Sequence, residues 1–321
     1  MVLPTDDGLQ QEFTRRLDVL LAAADVRGWV HAVDLDSGAS LEAGADQPVV
    51  AASVFKLPVL VELFRQIGVG RLDARQRVRI GADERRTVGP TGLSVMLDDV
   101  ELSLRDLGYA MMSVSDNRAT DVIVDLVGLD AINNTQAELG FPATVLEGDC
   151  QFLFDQMDAE LGESYAAYRA PADGTDRRFG LSVFDPLRTN RTTPRSTTAL
   201  LAMLWRDEIL DPSACAEIRR ILSLQVWPHR LTSGFPDDEI SVAGKTGTIG
   251  PVRNEVGVVS YPDGGRYAVA VFLRQREIRY HNPVADAAIG QVGRLAIDHL
   301  RADPAQRTDR PAHTVTAIAE S

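Results

Sequence analysis

The chain has 321 residues, of which 45% are apolar and 25% are charged, and this composition excludes a disordered, collagen-like or low-complexity protein. Its 46 acidic and 33 basic residues give a formal net charge of −13, the wrong sign for neutralising phosphates, so we expect no nucleic-acid partner. Every apolar run is shorter than the roughly 18 residues that span a bilayer, so we expect no membrane partner either. The length allows one large domain or two.

The start of the chain, residues 1–8, lacks the basic and apolar regions of a secretory signal. The sequence as given therefore predicts a cytoplasmic protein, or a periplasmic or secreted one if an export signal has been removed. An alternating segment from Trp29 to Leu35 predicts the first strand, which ends in a turn at residues 36–38. Before it, an amphipathic helix is predicted by apolar residues at helical spacing: Phe13, Leu17, Leu20, Leu21 and Ala24.

The next segment, residues 49–64, predicts a buried helix, because it is apolar nearly all round and too long for a strand. Pro58 fits only in a first turn, so the helix should begin near Ser53. Ser53 and Lys56 then lie at i and i+3 on one face, near the positive end of the helix dipole. A hydroxyl beside a desolvated amine is a nucleophile beside its base. The alternative is an N-cap serine with a lysine that reaches solvent, and these residues alone do not decide.

A turn with the sequence Ser115-Asp116-Asn117 precedes the next helix. Taken in isolation, this triplet is better interpreted as ordinary helix capping. The helix itself is predicted by apolar residues at helical spacing and by the glycine that ends it: Ala119, Val122, Ile123, Leu126 and Gly128.

Lys56 and Lys245 are the two lysines of a chain with 31 arginines. Arginine stays protonated in proteins, whereas a buried lysine can lose its proton and act as a base, so the two lysines indicate a need for that chemistry. Lys245 lies in a predicted strand, residues 240–250, whose glycines let a ligand or another backbone approach closely. Two alternatives stay open. The two lysines can be present by chance in a composition biased toward arginine, or Lys245 can be an exposed residue of a glycine-rich edge strand.

The C-terminal part predicts a hairpin around residues 262–265, a final helix from about Pro283 to Leu300, and a tail at residues 303–321. Strands near both ends of the chain, with helices between them, imply that the ends meet in one antiparallel sheet. We expect residues 1–60 and 213–302 to form an α/β subdomain. Residues 61–212 should form an inserted, mainly helical subdomain with an active-site loop. The nucleophile then lies at the junction of the two.

Together, Ser53-Val-Phe-Lys56, Ser115-Asp-Asn117 and Lys245-Thr-Gly247 resemble the Ser-x-x-Lys, Ser-Asp-Asn and Lys-Thr-Gly motifs of class A β-lactamases and penicillin-binding proteins. The resemblance covers residues 10 to about 300. It implies an α/β (α+β) fold of the β-lactamase/transpeptidase type, in which helices flank an antiparallel sheet formed from both chain ends.

The resemblance also implies catalytic roles. Ser53 attacks a carbonyl and forms an acyl-enzyme, while neutral Lys56 accepts its proton. Ser115 relays a proton to the leaving nitrogen, and Lys245 holds Ser115 and the substrate carboxylate electrostatically. Asp116 has a structural role in the turn.

Further positions acquire substrate-binding roles through the same resemblance. The hydroxyls of Thr246 and Thr248 bind a substrate carboxylate, Asn117 binds a side-chain amide, and Gly247 completes the strand motif. The backbone N–H groups of Ser53 and Thr248 form the oxyanion hole. Arg230 resembles an arginine that binds the substrate carboxylate in some class A enzymes; Arg253 competes for that role, and either arginine can instead be a surface charge.

One segment departs from the family pattern. Class A enzymes carry a Glu-x-x-Leu-Asn segment whose glutamate activates the water that clears the acyl-enzyme, and no such segment occurs here. Aligning Leu153 with the family leucine places Cys150 at the glutamate position. Asp149, Glu147 and Asp155 are candidate deacylation bases, although solvated loop acids are the simpler interpretation. Arg188 or Arg191 in the same loop can approach the thiol and lower its pKa.

The sequence therefore predicts a serine hydrolase that opens β-lactam or related amide or ester bonds through a Ser53 acyl-enzyme. Alternatives are an esterase or amidase, a D-alanyl-D-alanine peptidase-like enzyme with slow deacylation, and a non-hydrolytic covalent binder or sensor. We expect a monomer that acts on a small molecule with a carboxylate, without cofactor or metal. A zinc hydrolase is excluded because the histidines lack metal-binding spacing: His31, His229, His281, His299 and His313.

Overall fold

The computed structural model describes residues 6–84, 87–168 and 176–302, and its strands form one five-stranded sheet and two short pairs. The strands are β1 (Val26–Asp34), β2 (Ser40–Ala43), β3 (Val49–Val50), β4 (Arg77–Ile80), β5 (Val100–Ser103), β6 (Arg191–Thr192), β7 (Ser241–Ile249), β8 (Val252–Ser260) and β9 (Arg266–Gln275). The large sheet has the order β2-β1-β9-β8-β7, and all neighbours are antiparallel. Strands from both ends of the chain therefore meet in one sheet, as predicted.

Helices cover both faces of the large sheet. The helices are α1 (Asp6–Ala23), α2 (Lys56–Gly68), α3 (Leu104–Ser113), α4 (Asn117–Val127), α5 (Leu129–Glu138), α6 (Cys150–Leu161), α7 (Pro194–Trp205), α8 (Pro212–Ser223) and α9 (Pro283–Ala302). Helices α1 and α9 pack on one face, which we call the outer face, against alternate residues of β9 such as Val269 and Val271. The other, inner face presents Ala270 and Phe272 to the larger core, which contains residues of α2 to α8. Lys56 of α2 and Lys245 of β7 lie on this inner side, since Lys245 is paired with Val256 and Val256 with Ala270.

Helix α2 passes through the centre of the larger core. All residues from Lys56 to Phe64 are buried, as expected for a segment that is apolar nearly all round. Pro58 lies in its first turn, where its missing N–H leaves no helical hydrogen bond unmade. Ser53 lies one turn earlier, in a 3₁₀ turn from Ala52 to Phe55 that runs directly into α2. The predicted start of this helical segment near Ser53 is thus confirmed.

The other predicted elements are also confirmed. The structure contains α1, β1, α4 with Gly128 as its C-cap, the β8–β9 hairpin and α9. The mixed α/β fold with an antiparallel sheet matches the expected class. None of the described helices is long and apolar enough to span a bilayer.

The proposed subdomain limits remain a prediction. The limit after residue 60 falls inside α2, and the limit after residue 212 falls in the first turn of α8. The chain therefore passes between the sheet and the helical part through two continuous helices. The predicted tail at 303–321, which includes His313, lies outside the described residues.

Candidate active site

The turn that carries Ser53 has a constrained backbone. Ala52 has φ +45°, in the left-handed region that a non-glycine residue rarely adopts, at a cost of about 1–3 kcal/mol. Strand β7 packs closely against this turn, because a Cβ atom at Gly247 would lie 2.9 Å from Ala51 O. The glycine of the Lys-Thr-Gly motif thus allows β7 to approach the nucleophile. Among the described residues, no hydrogen-bond partner lies within 3.5 Å of Ser53 Oγ.

Lys56 is fully buried at the first position of α2. Its Nζ atom donates to Ser115 O at 2.8 Å, to Asn117 Oδ1 at 2.8 Å and to Ser115 Oγ at 3.3 Å. The structure therefore joins the first and second motifs directly, and it orients the amine toward Ser115 rather than into a hydrogen bond with Ser53. Burial lowers the pKa of Lys56, which favours the neutral amine that a base requires.

Ser115 links the two lysines. Lys245 Nζ donates to Ser115 Oγ at 3.0 Å and to Thr246 O at 2.8 Å. Ser115 itself has φ +59°, a second strained non-glycine backbone in the site. Lys245 is fully buried, and burial followed by the charge of Lys56 lowers its pKa well below the usual value. Two buried amines around one hydroxyl favour a state in which one of them is neutral.

The remaining residues of the Ser-Asp-Asn turn connect neighbouring segments. Asn117 donates from Nδ2 to Val88 O at 2.8 Å, while its Oδ1 accepts from Lys56. Asp116 accepts from the backbone N–H groups of Leu93 at 2.6 Å and Ala119 at 3.0 Å, and the latter bond caps α4. These bonds support a structural role for Asp116, and they leave the Asn117 amide occupied by protein partners.

Cys150 reaches this cluster from the first position of α6. Its Sγ atom lies 3.5 Å from Asn117 Oδ1, the same oxygen that accepts from Lys56. Burial raises the pKa of the thiol, and Lys56 is the nearby cation that lowers it. The side chain at position 150 therefore lies beside Asn117 and next to Lys56, and its alignment with the family glutamate stays a prediction. A neutral buried thiol is a poor base for water.

The two acidic candidates for the deacylation base bind other partners. Asp149 caps α6 by accepting from Phe152 N at 2.8 Å. Glu147 is paired with Arg191 at 2.5 Å. Among the described residues, neither carboxylate hydrogen-bonds to Ser53 or Lys56. Asp155 lies within α6 rather than in a loop, and it accepts from Gln151 at 2.7 Å.

The prediction that Arg188 or Arg191 approaches the Cys150 thiol is wrong. Arg191 is occupied by Glu147, and Arg188 lies 3.8 Å from Glu160. Both arginines therefore have carboxylate neighbours of their own, and Lys56 supplies the positive charge that acts on the thiol.

Comparisons with known proteins agree with this geometry. The sequence profile of the β-lactamase enzyme family matches residues 12–300. This chain belongs to the β-lactamase enzyme family. A β-lactamase regulatory protein of Streptomyces cacaoi, BlaB, is 29% identical over 84% of this chain and 91% of its own length. A β-lactamase of Amycolatopsis lactamdurans is 28% identical over 92% of this chain and 87% of its own length.

Solved structures show the same fold. The structure of PBP-A superposes with a TM-score of 0.72 and 25% identity, covering 91% of this chain and 96% of that chain. A variant of PBP-A, solved as an acyl-enzyme complex with penicillin G, matches equally well, with a TM-score of 0.72 over 93% of this chain and 99% of that chain. The protein is thus a hydrolase of the serine β-lactamase type.

Within this β-lactamase fold, Arg230 lies beside the end of β7. It is buried, and it donates to Thr248 Oγ1 at 2.7 Å, to Gly247 O at 3.0 Å and to Asp286 Oδ1 at 2.7 Å. Four of its five N–H donors are occupied once Asn254 O is included, at 2.9 Å. Arg230 therefore orients the Thr248 hydroxyl and keeps one donor for a substrate group.

Arg253 is the weaker candidate for carboxylate binding. Its guanidinium donates to four backbone carbonyls, which occupy all its terminal N–H groups: Gly250, Val252, Arg279 and Tyr280. Both arginines line a cavity of about 510 Å³ that opens beside Thr248. Arg253 fixes the wall of this cavity, whereas Arg230 contacts the predicted substrate-binding threonine.

Gln225 was not among the residues predicted from the sequence, but its side chain holds β7 in position. Its Oε1 accepts from Thr246 N at 2.6 Å, and its Nε2 donates to Glu255 Oε1 at 2.7 Å. Alternate N–H groups of a strand point to the same edge, so Thr248 N–H also points to the open edge of β7. This direction suits the predicted oxyanion donor. Gln225 lies in a loop with no sequence signal.

Two buried carboxyl groups were also missed. Glu255 lies on β8 opposite Thr246, and burial raises its pKa to about 7. Asp121 on α4 accepts from Cys150 N at 2.8 Å and Thr87 Oγ1 at 2.6 Å, and burial raises its pKa to about 6. Glu255 had a signal, because it belongs to a polar run, residues 253–255, inside an apolar strand.

Proposed function

We propose that this serine hydrolase is acylated on Ser53 by a β-lactam, or by a related amide or ester with a carboxylate, and that it clears the acyl group slowly. The observation that carries the proposal is the cluster in which both lysine amines contact Ser115 next to the Ser53 turn. The second half of the proposal depends on Cys150, which the alignment of Leu153 puts at the position of the family glutamate and whose thiol lies 3.5 Å from Asn117 Oδ1.

The acylation step uses the Ser53 hydroxyl and one neutral amine. Ser53 Oγ attacks the carbonyl carbon, its proton passes to Lys56 Nζ, and the C–N or C–O bond of the substrate breaks. Ser115 Oγ delivers a proton to the leaving atom and is reprotonated from the lysine pair. Backbone N–H groups at the Ser53 turn and on β7 stabilise the oxyanion, typically by about 3 kcal/mol for each donor.

Clearance requires water to add to the acyl carbonyl and to release Ser53 with a free carboxylic acid. A general base for that water typically contributes about 10²–10⁴ in rate. Cys150 is a poor base, and Asp149 and Glu147 are bound elsewhere. We therefore propose that the acyl-enzyme persists.

A second candidate function is a covalent sensor that keeps its acyl group. The specific support is that BlaB of Streptomyces cacaoi is named a β-lactamase regulatory protein and is similar over most of both chains. Persistence of the acyl-enzyme is what such a role needs.

The deciding experiment follows product release and protein mass in one reaction. A chromogenic cephalosporin and a p-nitrophenyl ester are each mixed with the protein, with Ser53→Ala as the matched control. We expect a burst of about one product per enzyme, a slow steady state and a mass adduct on Ser53. Fast linear turnover without a burst would contradict slow clearance, and an adduct in Ser53→Ala would contradict the nucleophile. Reaction with the ester alone would favour the esterase alternative.

A further inference from the structure

A second cavity, of about 350 Å³, lies between the inner face of the sheet and residues 47–50, which lead into the Ser53 turn. Its volume is within the range of small-molecule sites in proteins. None of the predicted catalytic or substrate-binding residues lines it. It is therefore separate from the cavity beside Thr248.

Two arginines face each other at one end of this cavity. Arg27 on β1 is the direct antiparallel partner of Arg274 on β9. Like charges directly opposite are destabilising. Neither guanidinium has a carboxylate within 4.0 Å among the described residues, although Asp185 acts on Arg274 from further away. Burial lowers the pKa of Arg274, while Asp185 raises it and Arg27 lowers it. Arg274 donates to Phe184 O at 2.6 Å and Arg27 is exposed, so this end of the cavity carries two cations without a carboxylate in direct contact.

Aromatic rings occupy the neighbouring row of the sheet. Trp29 is the partner of Phe272, two residues along from the arginine pair on each strand and therefore on the same face. The Arg27 guanidinium lies over the Trp29 ring at 4.9 Å from its centroid. The cavity thus combines an apolar, aromatic wall with a cationic end.

Asn254 completes the row beside Phe272 and is fully buried. Its Nδ2 donates to Val50 O at 2.9 Å and to Ala51 O at 3.1 Å, which fixes the orientation of the amide. Its Oδ1 is buried and has no hydrogen-bond partner among the described residues. A buried unpaired acceptor costs about 1–3 kcal/mol, so a ligand N–H near this oxygen would be stabilised.

We propose that this cavity binds a small aromatic carboxylate that also carries an N–H group. The carboxylate lies between Arg27 and Arg274, the ring packs against Trp29 and Phe272, and the N–H donates to Asn254 Oδ1. The arginine pair and the neighbouring row with Trp29, Phe272 and Asn254 are about 7 Å apart along the strands. The carboxylate and the N–H therefore belong at opposite ends of a bicyclic ring. Nothing in this binding step depends on the proposed acylation.

Occupation of the cavity should also affect Ser53. Asn254 holds the carbonyls of Val50 and Ala51, immediately before the strained Ala52. A donor on Oδ1 polarises the amide and strengthens these bonds, which fixes the nucleophile turn more firmly. We therefore expect faster acylation of Ser53 when the ligand is bound, and this part rests on the proposed function.

The binding test uses the indole N–H resonances of the whole protein. Trp29 Nε1 donates to Gln47 Oε1 at 2.8 Å at the cavity wall, and its signal is assigned with Trp29→Phe. Indole-5-carboxylate should shift this signal and leave those of Trp205 and Trp227 unchanged. Benzofuran-5-carboxylate, which lacks the N–H, and indole-5-carboxamide, which lacks the charge, should each bind about tenfold more weakly. No shift at Trp29, or equal affinities for the three compounds, would overturn the site.

A matched pair of variants tests the cationic end. Arg27→Gln should weaken binding of indole-5-carboxylate about tenfold. Arg276→Gln removes the same charge from an arginine that pairs with Asp25 and does not line the cavity, so it should leave the affinity unchanged. Equal effects of the two substitutions would overturn the site.

The coupling is measured as the rate of Ser53 labelling by a fluorophosphonate probe, with and without saturating indole-5-carboxylate. We expect at least a doubling of that rate. An unchanged rate with confirmed binding would overturn the coupling and leave the site. If the Trp29 signal still shifts in Ser53→Ala, binding in this cavity does not depend on the nucleophile. If indole-5-carboxylate binds but the probe does not label Ser53 at all, only the proposed function is contradicted.

Discussion

Two regions flank Ser53, and they differ in how their polar groups are used. On one side, which we call the acylation side, Lys56 and Lys245 each donate to the hydroxyl of Ser115. On the other, the clearing side, the start of α6 presents a thiol, and its acids cap a helix or pair with an arginine. Under the proposed function, acylation has its proton-transfer groups in contact, whereas clearance lacks a free base among the described residues.

The largest effect is expected on the acylation side. Ser53→Ala removes the nucleophile, so covalent labelling by a penicillin-type or fluorophosphonate probe should be lost completely. Intact-mass measurement after incubation checks this outcome. Labelling that persists in Ser53→Ala would break the comparison, because the reactive group would then lie elsewhere.

The two lysines should respond differently to arginine. Lys56→Arg keeps the charge and loses the ability to deprotonate, so acylation should fall by about 10²–10⁴, the usual contribution of a general base. Lys245→Arg keeps a cation beside Ser115 and should lose only about tenfold. Lys245→Ala should mainly weaken reaction with carboxylate-bearing substrates.

Single-turnover rates with a neutral ester measure this difference between the arginine variants. Because burial lowers the pKa of both amines, the structure leaves either lysine able to serve as the neutral one. Equal losses in Lys56→Arg and Lys245→Arg would contradict the assignment of Lys56 as the base.

A substitution on the clearing side should convert slow clearance into turnover. Cys150→Glu places a carboxylate beside Asn117 and Lys56, and it should raise the deacylation rate at least about tenfold, in the range of a positioned general base. Cys150→Gln introduces a side chain of nearly the same size as glutamate but without a basic carboxylate, so deacylation should stay slow. Decay of the mass adduct measures the rate, and equal decay in both variants would refute the role of position 150.

The smallest effects concern stability and pH. Burial raises the pKa of Glu255 on the acylation side to about 7 and that of Asp121 on the clearing side to about 6. A raised carboxyl pKa in the folded state gives stability that is present at low pH and is lost as pH rises through that value. Glu255→Gln should therefore flatten the fall in unfolding free energy between about pH 5 and 7.5, by roughly 1–3 kcal/mol.

Asp121→Asn should flatten the same curve at lower pH, between about pH 4 and 6.5, by a similar or smaller amount. Urea unfolding at several pH values measures both changes. Curves parallel to that of the unsubstituted protein would show that these carboxyl groups do not titrate differently in the folded and unfolded states.

The sequence predicts the acylation side better than the clearing side. Ser53, Ser115 and Lys245 lie in three short motifs, so local spacing and chain order were sufficient to find them. Cys150 could be placed only through the alignment of Leu153. The partners of the loop acids could not be read from the sequence, because Glu147 pairs with Arg191, 44 residues away. Gln225 was missed for the same reason, because its hydrogen-bond partners, Thr246 and Glu255, are distant from it in the sequence.

The packing of α1 beside α9 has a practical consequence for attachment. The rings of Phe13 and His299 lie 6.2 Å apart, so the first half of α1 is next to the end of α9 on the outer face. The two buried lysines lie on the other side of the sheet. We therefore expect a reporter or a carrier domain attached at residue 6 or residue 302 to lie away from these lysines.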